Sequence, residues 1–311
     1  MVQTSPAASA TLRDTLSSFS TERVNEASQD LDLLDTEAQV RVMCDNNRGV
    51  PGVVAGQAAP IAQAIDGIVE RLRRGGRLIY VGAGTAGRMG VLDASEIPPT
   101  YGTDPSLVVG LIAGGQDAIR SAIENAEDDQ AAGVAAIDDI GVGADDAVVG
   151  VSASGRTPYV CAAVSAARER GAFTVGFACN ADSALGAAAD VAIETVGPEV
   201  VTGSTRLKAG TAQKLVLNMI STLAMVRLGK VYGNLMVDMQ ATNEKLRARA
   251  ERTVMLATGT DAATAAAALG SVDGSVKAAI LVVLADVDGS SALRLLAEHD
   301  GYLRDAVAAA R

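Results

Sequence analysis

Five short apolar runs alternate with helix-like segments along this 311-residue chain, and this alternation restricts the folds that it can adopt. The runs are residues 77–82, 107–112, 146–152, 173–178 and 190–194. Continuous runs of Val, Ile, Leu and Ala are typical of strands that are buried on both faces of a parallel sheet. The alternation therefore predicts an α/β fold, in which helices cover both faces of a parallel five-stranded sheet.

The helix-like segments between the runs place apolar residues at helical spacing. They include residues 58–72, 117–126 and 157–170. After the last run the pattern changes, because 207–229 and 239–257 indicate two long helices without a strand between them.

The last part of the chain differs in composition from the part before it. From residue 259 onward, Ala-rich segments interrupted by glycine predict three short helices. We expect a domain boundary near 252–260 and place it after residue 255. This division predicts a flexible leader over 1–20, a main domain over 21–255 that includes an N-terminal helical arm, and a small helical module over 256–311.

Composition excludes several classes of function. Lys and Arg number 26 against 37 Asp and Glu, and the resulting net charge of −11 disfavours nucleic acid and anionic membranes as partners. Cys44, Cys161 and Cys179 are scattered and His299 is the single histidine, which argues against disulfides and zinc sites. The N-terminus does not resemble a secretion signal and no apolar stretch is long enough to cross a bilayer, so we expect a cytoplasmic protein.

A glycine-rich loop follows the first predicted strand. Gly82, Gly84 and Gly87 match G-x-G-x-x-G ahead of a helix, which by itself is weak evidence for dinucleotide binding. The loop is equally suited to another phosphate ligand, because glycines let the backbone approach an anion while Thr85 and helix N-terminal amides supply donors. A tight turn without a ligand is the third interpretation.

A second small loop favours the phosphate interpretation. Ser152, Ser154, Gly155 and Thr157 follow the third predicted strand and precede a helix that starts at Pro158. A dinucleotide fold does not require this loop, whereas two hydroxyl-rich loops at the carboxyl ends of parallel strands can converge on one anion. Helix capping is the alternative role of these hydroxyls, and it uses the same geometry.

Acid and base chemistry must come from carboxylates. The Walker A pattern is absent, and His299 lies in the remote C-terminal module and receives no role. Glu96 precedes a Pro-Pro pair after the first glycine loop, and partial burial there would raise its pKa. Glu127 lies in an acidic run. A solvent-facing position is the alternative interpretation for both residues.

Several segments together resemble one family. They are residues 21–25 (TERVN), 80–88 (YVGAGTAGR), 92–96 (LDASE), 154–158 (SGRTP), 202–211 (TGSTRLKAGT) and 234–238 (NLMVD). Over roughly residues 21–311 the chain resembles the sugar isomerase (SIS) domain proteins, which have a flavodoxin-like sheet. Among these proteins it is most similar to the N-acetylmuramic acid 6-phosphate etherase family. The resemblance implies a carbon–oxygen lyase of amino sugar catabolism and peptidoglycan recycling, which cleaves a D-lactyl ether by elimination and then hydration.

The resemblance also implies which residues form the site. Glu96 matches the acid that protonates departing lactate, and Glu127 matches the second catalytic glutamate, which we assign as the base. The residues that the resemblance implies for substrate binding are Gly84, Thr85, Ser152, Ser154, Gly155, Thr157, Ser204 and Thr205, with Glu199 and Lys208 as weaker candidates. The chain departs from the family pattern at Ala86 and Ile97, where a serine and often a cysteine are expected; the missing hydroxyl should weaken phosphate binding modestly.

Cofactor, assembly and alternative functions follow from the same resemblance. It implies no metal or organic cofactor, a phosphosugar substrate, a homodimer with sites near the subunit interface, and a C-terminal module that resembles ubiquitin-associated folds. An aldose-ketose isomerase or a non-catalytic sugar-phosphate sensor would share the fold and the phosphate loops. Two acids near the ligand favour an enzyme over a sensor, and release of D-lactate would distinguish the etherase from the isomerase.

Overall fold

Five parallel strands form the central sheet of the computed structural model, which describes residue 16 and residues 19–239, 241 and 243–310. Most of the leader expected over 1–20 lies outside the described residues. The strands are β1 (Leu78–Gly82), β2 (Val108–Ile112), β3 (Ala147–Ser152), β4 (Phe173–Ala178) and β5 (Val191–Glu194). Their order is β2-β1-β3-β4-β5, and every pairing is parallel. The predicted α/β fold is confirmed.

Helices surround this sheet. They are α1 (Thr36–Arg48), α2 (Val50–Ala55), α3 (Ala58–Arg73), α4 (Gly84–Tyr101), α5 (Asp117–Arg120), α6 (Gln130–Asp139), α7 (Pro158–Glu169), α8 (Ala184–Ala188) and α9 (Lys208–Arg227). Val148 of β3 is fully buried in a core cluster with Val160 and Ala163 of α7. Burial of both faces explains why these strands are continuous apolar runs rather than alternating ones.

Polar side chains set the start of several helices. Asp35 accepts a hydrogen bond from the backbone N–H of Ala38 at the start of α1, and Asp129 accepts one from Ala132 at the start of α6. Asn243 caps α10 (Glu244–Thr258) by accepting a hydrogen bond from the backbone N–H of Leu246. This helix therefore begins later than the predicted residue 239.

The helix predicted over 117–126 is shorter than expected, because α5 ends at Arg120. The guanidinium of Arg88 donates to the carbonyl oxygens of Ile119 and Ser121, at 3.0 and 3.3 Å. The chain then turns through Asn125, whose φ is +61°, into a 3₁₀ turn at Ala126–Asp128. Tertiary contacts therefore override a local helical pattern at this point.

The chain divides into two compact units. The first unit contains Met1–Ser95 and Ser106–Ile220, and the second unit contains Glu96–Pro105 and Ser221–Arg311. The boundary expected after residue 255 falls inside α10. Residues 262–309 form four helices where the sequence predicts three. These helices are α11 (Ala262–Gly270), α12 (Val276–Ala285), α13 (Gly289–Glu298) and α14 (Leu303–Ala309). The second unit has its own apolar core, which includes Val254, Ile280 and Leu296. It also contains a ribbon of β6 (Val231–Tyr232) and β7 (Leu235–Met236) that the sequence did not predict.

Within the described residues no single helix has the length and apolar character of a membrane span; the bent pair Thr36–Ala55 and Ala58–Arg73 meets those criteria by length and composition alone.

Candidate functional site

The carboxyl ends of β1 and β3 bring the two predicted phosphate loops to one cavity. The two strands are neighbours, with Gly82 opposite Val151. The chain leaves β1 toward β2 on one side and returns to β3 on the other, so the cavity lies at a switch point of the sheet, where α/β proteins bind ligands. The cavity has a volume of about 260 Å³ and is lined by Thr21, Glu22, Ala83, Gly84, Thr85, Ala86, Glu127, Ser152, Ala153, Ser154, Thr157, Gly203, Thr205 and Gln213.

The first loop directs the N-terminus of α4 at the cavity. A Cβ atom on Gly82 would lie 2.6 Å from the nitrogen of Gly87, and one on Gly87 would lie 2.5 Å from Cγ1 of Ile112. These two positions must be glycine for the helix to follow the strand this closely. The first N–H groups of a helix have no partner within the helix and carry partial positive charge, so this end of α4 suits an anion.

The second loop presents three hydroxyls from a single turn. Oγ of Ser152 lies 2.8 Å from Oγ1 of Thr157 and 3.3 Å from Oγ of Ser154. The backbone N–H of Gly155 donates to Oγ of Ser152 at 3.0 Å, which orients the turn. Gly155 itself does not line the cavity. Hydroxyls so arranged are suited to phosphate oxygens.

Glu127 lines the same cavity from the 3₁₀ turn after α5. Its neighbour Ala126 is partly buried against the core cluster that β1, β3 and α7 share, which anchors the turn. Asp129 caps α6, so the acidic run contains a cavity-lining residue and, two positions later, a structural residue. The carboxylate of Glu127 is the one predicted catalytic acid that the described residues place at the two loops.

Glu96 does not line the cavity. It lies on α4, its side chain is exposed, and its residue belongs to the second compact unit. The partial burial predicted for Glu96 is not observed, because Asp93, Ala94 and Ile97 occupy the buried face of the helix and turn Glu96 outward. Leu92, one turn earlier on the same side, is 50% exposed.

A third polar loop, residues 197–207 between β5 and α9, contributes Thr205 to the lining, while Ser204 lies outside the lining. Glu199 is only 1% exposed, and its carboxylate accepts hydrogen bonds from the backbone N–H groups of Lys208 and Ala209 at 2.7 and 2.8 Å. Burial raises the pKa of Glu199, against the opposing effect of these bonds. This residue caps α9 rather than facing the cavity, and Lys208 lines a separate cavity of about 90 Å³ beside Cys179.

Comparison with known proteins identifies the family. The SIS domain model matches residues 134–223, and the model of the glucokinase regulatory protein N-terminal SIS domain matches residues 60–168. The N-acetylmuramic acid 6-phosphate etherase of Streptomyces coelicolor is 59% identical over 300 residues, which are 96% of this chain and 96% of the relative. That of Streptomyces avermitilis is 58% identical over the same shares.

The chain belongs to the N-acetylmuramic acid 6-phosphate etherase family. The family predicted from the sequence is thereby confirmed, and membership of an etherase family makes the chain an enzyme. Among solved structures, a phosphoheptose isomerase from Francisella tularensis matches with a TM-score of 0.50 and 16% identity, over 61% of this chain and 98% of the isomerase. This likeness supports the SIS fold of the etherase family member and nothing beyond the fold.

Gln213 also lines the cavity of this etherase family member, although none of the sequence motifs includes it. Its side chain is 1% exposed, and its Oε1 has no hydrogen-bond partner among the described residues. The signal was present in the sequence, because Gln213 interrupts an apolar helical stripe formed by Ala209, Ala212 and Val216. A buried amide oxygen at a ligand cavity is a candidate hydrogen-bond acceptor for the ligand.

The N-terminal arm also reaches the site, although the family resemblance assigned it no role there. Thr21 and Glu22 line the cavity, and the backbone N–H of Gly203 donates to the carbonyl oxygen of Thr21 at 3.0 Å. No local pattern predicts this contact, since the two residues are far apart in the sequence.

Proposed function

We propose that the chain cleaves the D-lactyl ether of N-acetylmuramic acid 6-phosphate and releases N-acetylglucosamine 6-phosphate and D-lactate, as a carbon–oxygen lyase of cell-wall sugar recycling in the cytoplasm. The observation that carries this proposal is the identity of 58% to 59% with etherases over 96% of both chains. The cavity supports it, because an anion-binding loop pair and a carboxylate meet there.

The substrate phosphate binds between the start of α4 and the second loop. Backbone N–H groups near Thr85 and the hydroxyls of Ser152, Ser154 and Thr157 supply its donors. Thr205 holds the sugar, and Ser204, which does not line the cavity, acts through the shape of its loop, where its carbonyl oxygen accepts a hydrogen bond from the backbone N–H of Leu207. Gly155 acts through the shape of the second loop, and Glu199 acts by holding the start of α9.

The reaction needs one base and one acid. The sugar opens to its aldehyde, which acidifies the proton on C2, and Glu127 removes that proton. The C3–oxygen bond breaks with its electron pair going to lactate, which takes a proton from Glu96. Water then adds across the double bond, with its hydroxyl going to C3 and a proton returning to C2. Carboxylates are sufficient for each transfer, so the proposal includes no metal or organic cofactor.

A homodimer would explain the position of Glu96. Met219, Leu223 and Val226 are exposed at helical spacing on α9, and Leu92 is exposed one turn before Glu96 on α4. Large apolar side chains that are exposed along one face of a helix, as these three are on α9, are typical of surfaces that another chain covers. We therefore place Glu96 of each copy at the cavity of its partner.

The decisive experiment measures release of D-lactate from N-acetylmuramic acid 6-phosphate by the purified protein. Glu96→Gln and Glu127→Gln should each lower kcat by about 100-fold or more, since each removes a proton-transfer group. Asp128→Asn, an exposed acid beside Glu127, is the matched control and should leave kcat unchanged. Folded protein that releases no D-lactate would refute the etherase proposal and favour the isomerase or the sensor.

A further inference from the structure

The N-terminal arm brings a second carboxylate to the cavity. The 3₁₀ turn Ser20–Glu22 lies along the site, and Glu22 lines the same cavity as Glu127. Ser20 and Thr21 are 4% and 1% exposed, so the turn is packed into the first unit rather than lying on its surface. Glu22 itself is half-buried.

Asn180 fastens this turn to the second phosphate loop. Its side chain is 3% exposed, and its Oδ1 accepts hydrogen bonds from the backbone N–H and the hydroxyl of Ser20 at 2.7 and 3.0 Å. Its Nδ2 donates to the carbonyl oxygen of Ala153 at 3.0 Å and to Oγ1 of Thr21 at 3.3 Å. One buried amide therefore holds the arm and the phosphate loop in a common arrangement.

The third loop fixes the arm from the other end. Besides the hydrogen bond from Gly203 to Thr21, a Cβ atom on Gly203 would lie 3.0 Å from Oε2 of Glu22. The carboxylate of Glu22 thus lies directly against a glycine. Among the described residues Glu22 has no side-chain hydrogen bond or ion pair, and it lines the cavity in which a ligand would bind.

We infer that Glu22 is a specificity-determining residue that accepts hydrogen bonds from the hydroxyl or amide N–H groups of the substrate sugar. This inference rests on the proposed function. A carboxylate repels the phosphate but forms strong hydrogen bonds with O–H and N–H donors, so Glu22 recognises the sugar and the two loops recognise the phosphate. Asn180 is a positioning residue, which acts on the sugar through the arm.

The test compares Glu22→Gln, Glu22→Ala and Asn180→Ala with Glu26→Gln, an exposed acid on the same arm that does not line the cavity. In D-lactate release, each Glu22 variant should raise KM by about tenfold or more and change kcat much less, because it loses a binding interaction. Asn180→Ala should likewise raise KM and change kcat much less. Glu26→Gln should have the same KM and kcat as the unaltered protein.

Competitive inhibition separates sugar recognition from phosphate recognition. The inhibition constant of N-acetylglucosamine 6-phosphate should rise by about tenfold in Glu22→Gln, whereas that of inorganic phosphate should stay equal or fall, since a negative charge is lost. The inference would be overturned by an equal loss of affinity for both ligands or by unchanged inhibition constants. A fall in kcat at constant KM would overturn it as well. Thermal unfolding confirms that each variant is folded, and Glu22→Gln preserves the shape of the side chain if Glu22→Ala does not fold.

Failure of the proposed etherase activity can be distinguished from failure of the role inferred for Glu22. If the unaltered protein releases no D-lactate, calorimetric binding of N-acetylglucosamine 6-phosphate and of inorganic phosphate replaces the kinetic measurement. The etherase reaction would then be refuted, while the role of Glu22 would stand or fall on selective loss of the sugar phosphate in Glu22→Gln.

Discussion

At the scale of single residues, Gly155 shows how backbone conformation shapes the phosphate loop. Its φ is +70°, and a Cβ atom there would lie 2.5 Å from Cβ of Ser183 and 2.8 Å from Cβ of Ala178. Gly155→Ala should lower the free energy of unfolding by about 2 to 4 kcal/mol, from the strained φ and the overlap together, and weaken phosphate binding. Denaturant unfolding and inhibition by phosphate measure the two effects.

The matched control for this prediction is Gly141→Ala. Gly141 has a φ of +61°, but a Cβ atom there would have nothing within 4 Å. Its substitution should lower the free energy of unfolding by about 1 kcal/mol, from φ alone. Equal losses in the two variants would show that the overlap at residue 155 is relieved without cost.

A substitution at Ala86 is expected to strengthen substrate binding rather than weaken it. It lines the cavity in the first turn of α4, where the family resemblance leads us to expect serine. Ala86→Ser should lower KM by about two- to tenfold, because the added hydroxyl supplies another donor to the phosphate. Thr85→Val, which removes a hydroxyl one residue away, should raise KM. A rise in KM for Ala86→Ser would place the phosphate elsewhere.

At the scale of elements, one ion pair joins the residues that precede β1 and β3. Nη2 of Arg77 lies 2.7 Å from Oδ2 of Asp146, and the backbone N–H groups of Arg77 and Gly143 donate to the same carboxylate. Burial acts to raise the pKa of Asp146, but the hydrogen bonds from Arg77 and Gly143 together outweigh it and hold this pKa below its ordinary value.

The lowered pKa predicts a loss of stability in acid. The contribution of Asp146 is present above the unfolded pKa of about 3.9 and is lost as pH falls through the lower folded pKa. Asp146→Asn should therefore reduce the free energy of unfolding at pH 7 and flatten its dependence on pH below about 4. Exposed Asp139→Asn is the control, and denaturant unfolding from pH 2 to 7 is the measurement. A slope equal to that of the unaltered protein would contradict the prediction.

At the scale of the whole molecule, the division into two units predicts separate responses to a local defect. In the second unit, Asp238 pairs with Lys230 and Lys277, each at 2.9 Å, and Lys277 is 7% exposed. Asp238→Ala leaves a buried ammonium without its partner, which costs about 3 to 5 kcal/mol. Hydrogen exchange should rise in residues 221–310 and much less in the five-stranded sheet; an equal rise in both would show that the units unfold together.

The proposed dimer predicts complementation between inactive variants. If Glu96 acts in the partner's site, a mixed dimer of Glu96→Gln and Glu127→Gln contains one site with both acids intact. Co-refolding equal amounts should then restore about a quarter of the unaltered activity, since about half of the dimers are mixed and each has one working site. Activity that stays at the level of the separate variants would place both acids of each site on one chain.

Local sequence patterns were sufficient to predict the five strands of the central sheet and the two phosphate loops. Runs such as 173–178 predicted β4 because burial on both faces selects residues that are neighbours along the chain. Gly82 closes on Gly87 within one turn, and the hydroxyls from Ser152 to Thr157 lie within another, so their spacing was sufficient to predict a site.

Which other side chains reach the cavity depends on contacts between distant segments of the chain. It directed Glu199 at the start of α9, turned Glu96 outward, and brought Gln213 and Glu22 to the lining. Glu22 illustrates the reason, since its place depends on the hydrogen bonds that link Asn180 to Ser20 across 160 residues. Local patterns record the interactions of residues close in the chain, whereas a cavity is formed by packing among segments that are distant in it.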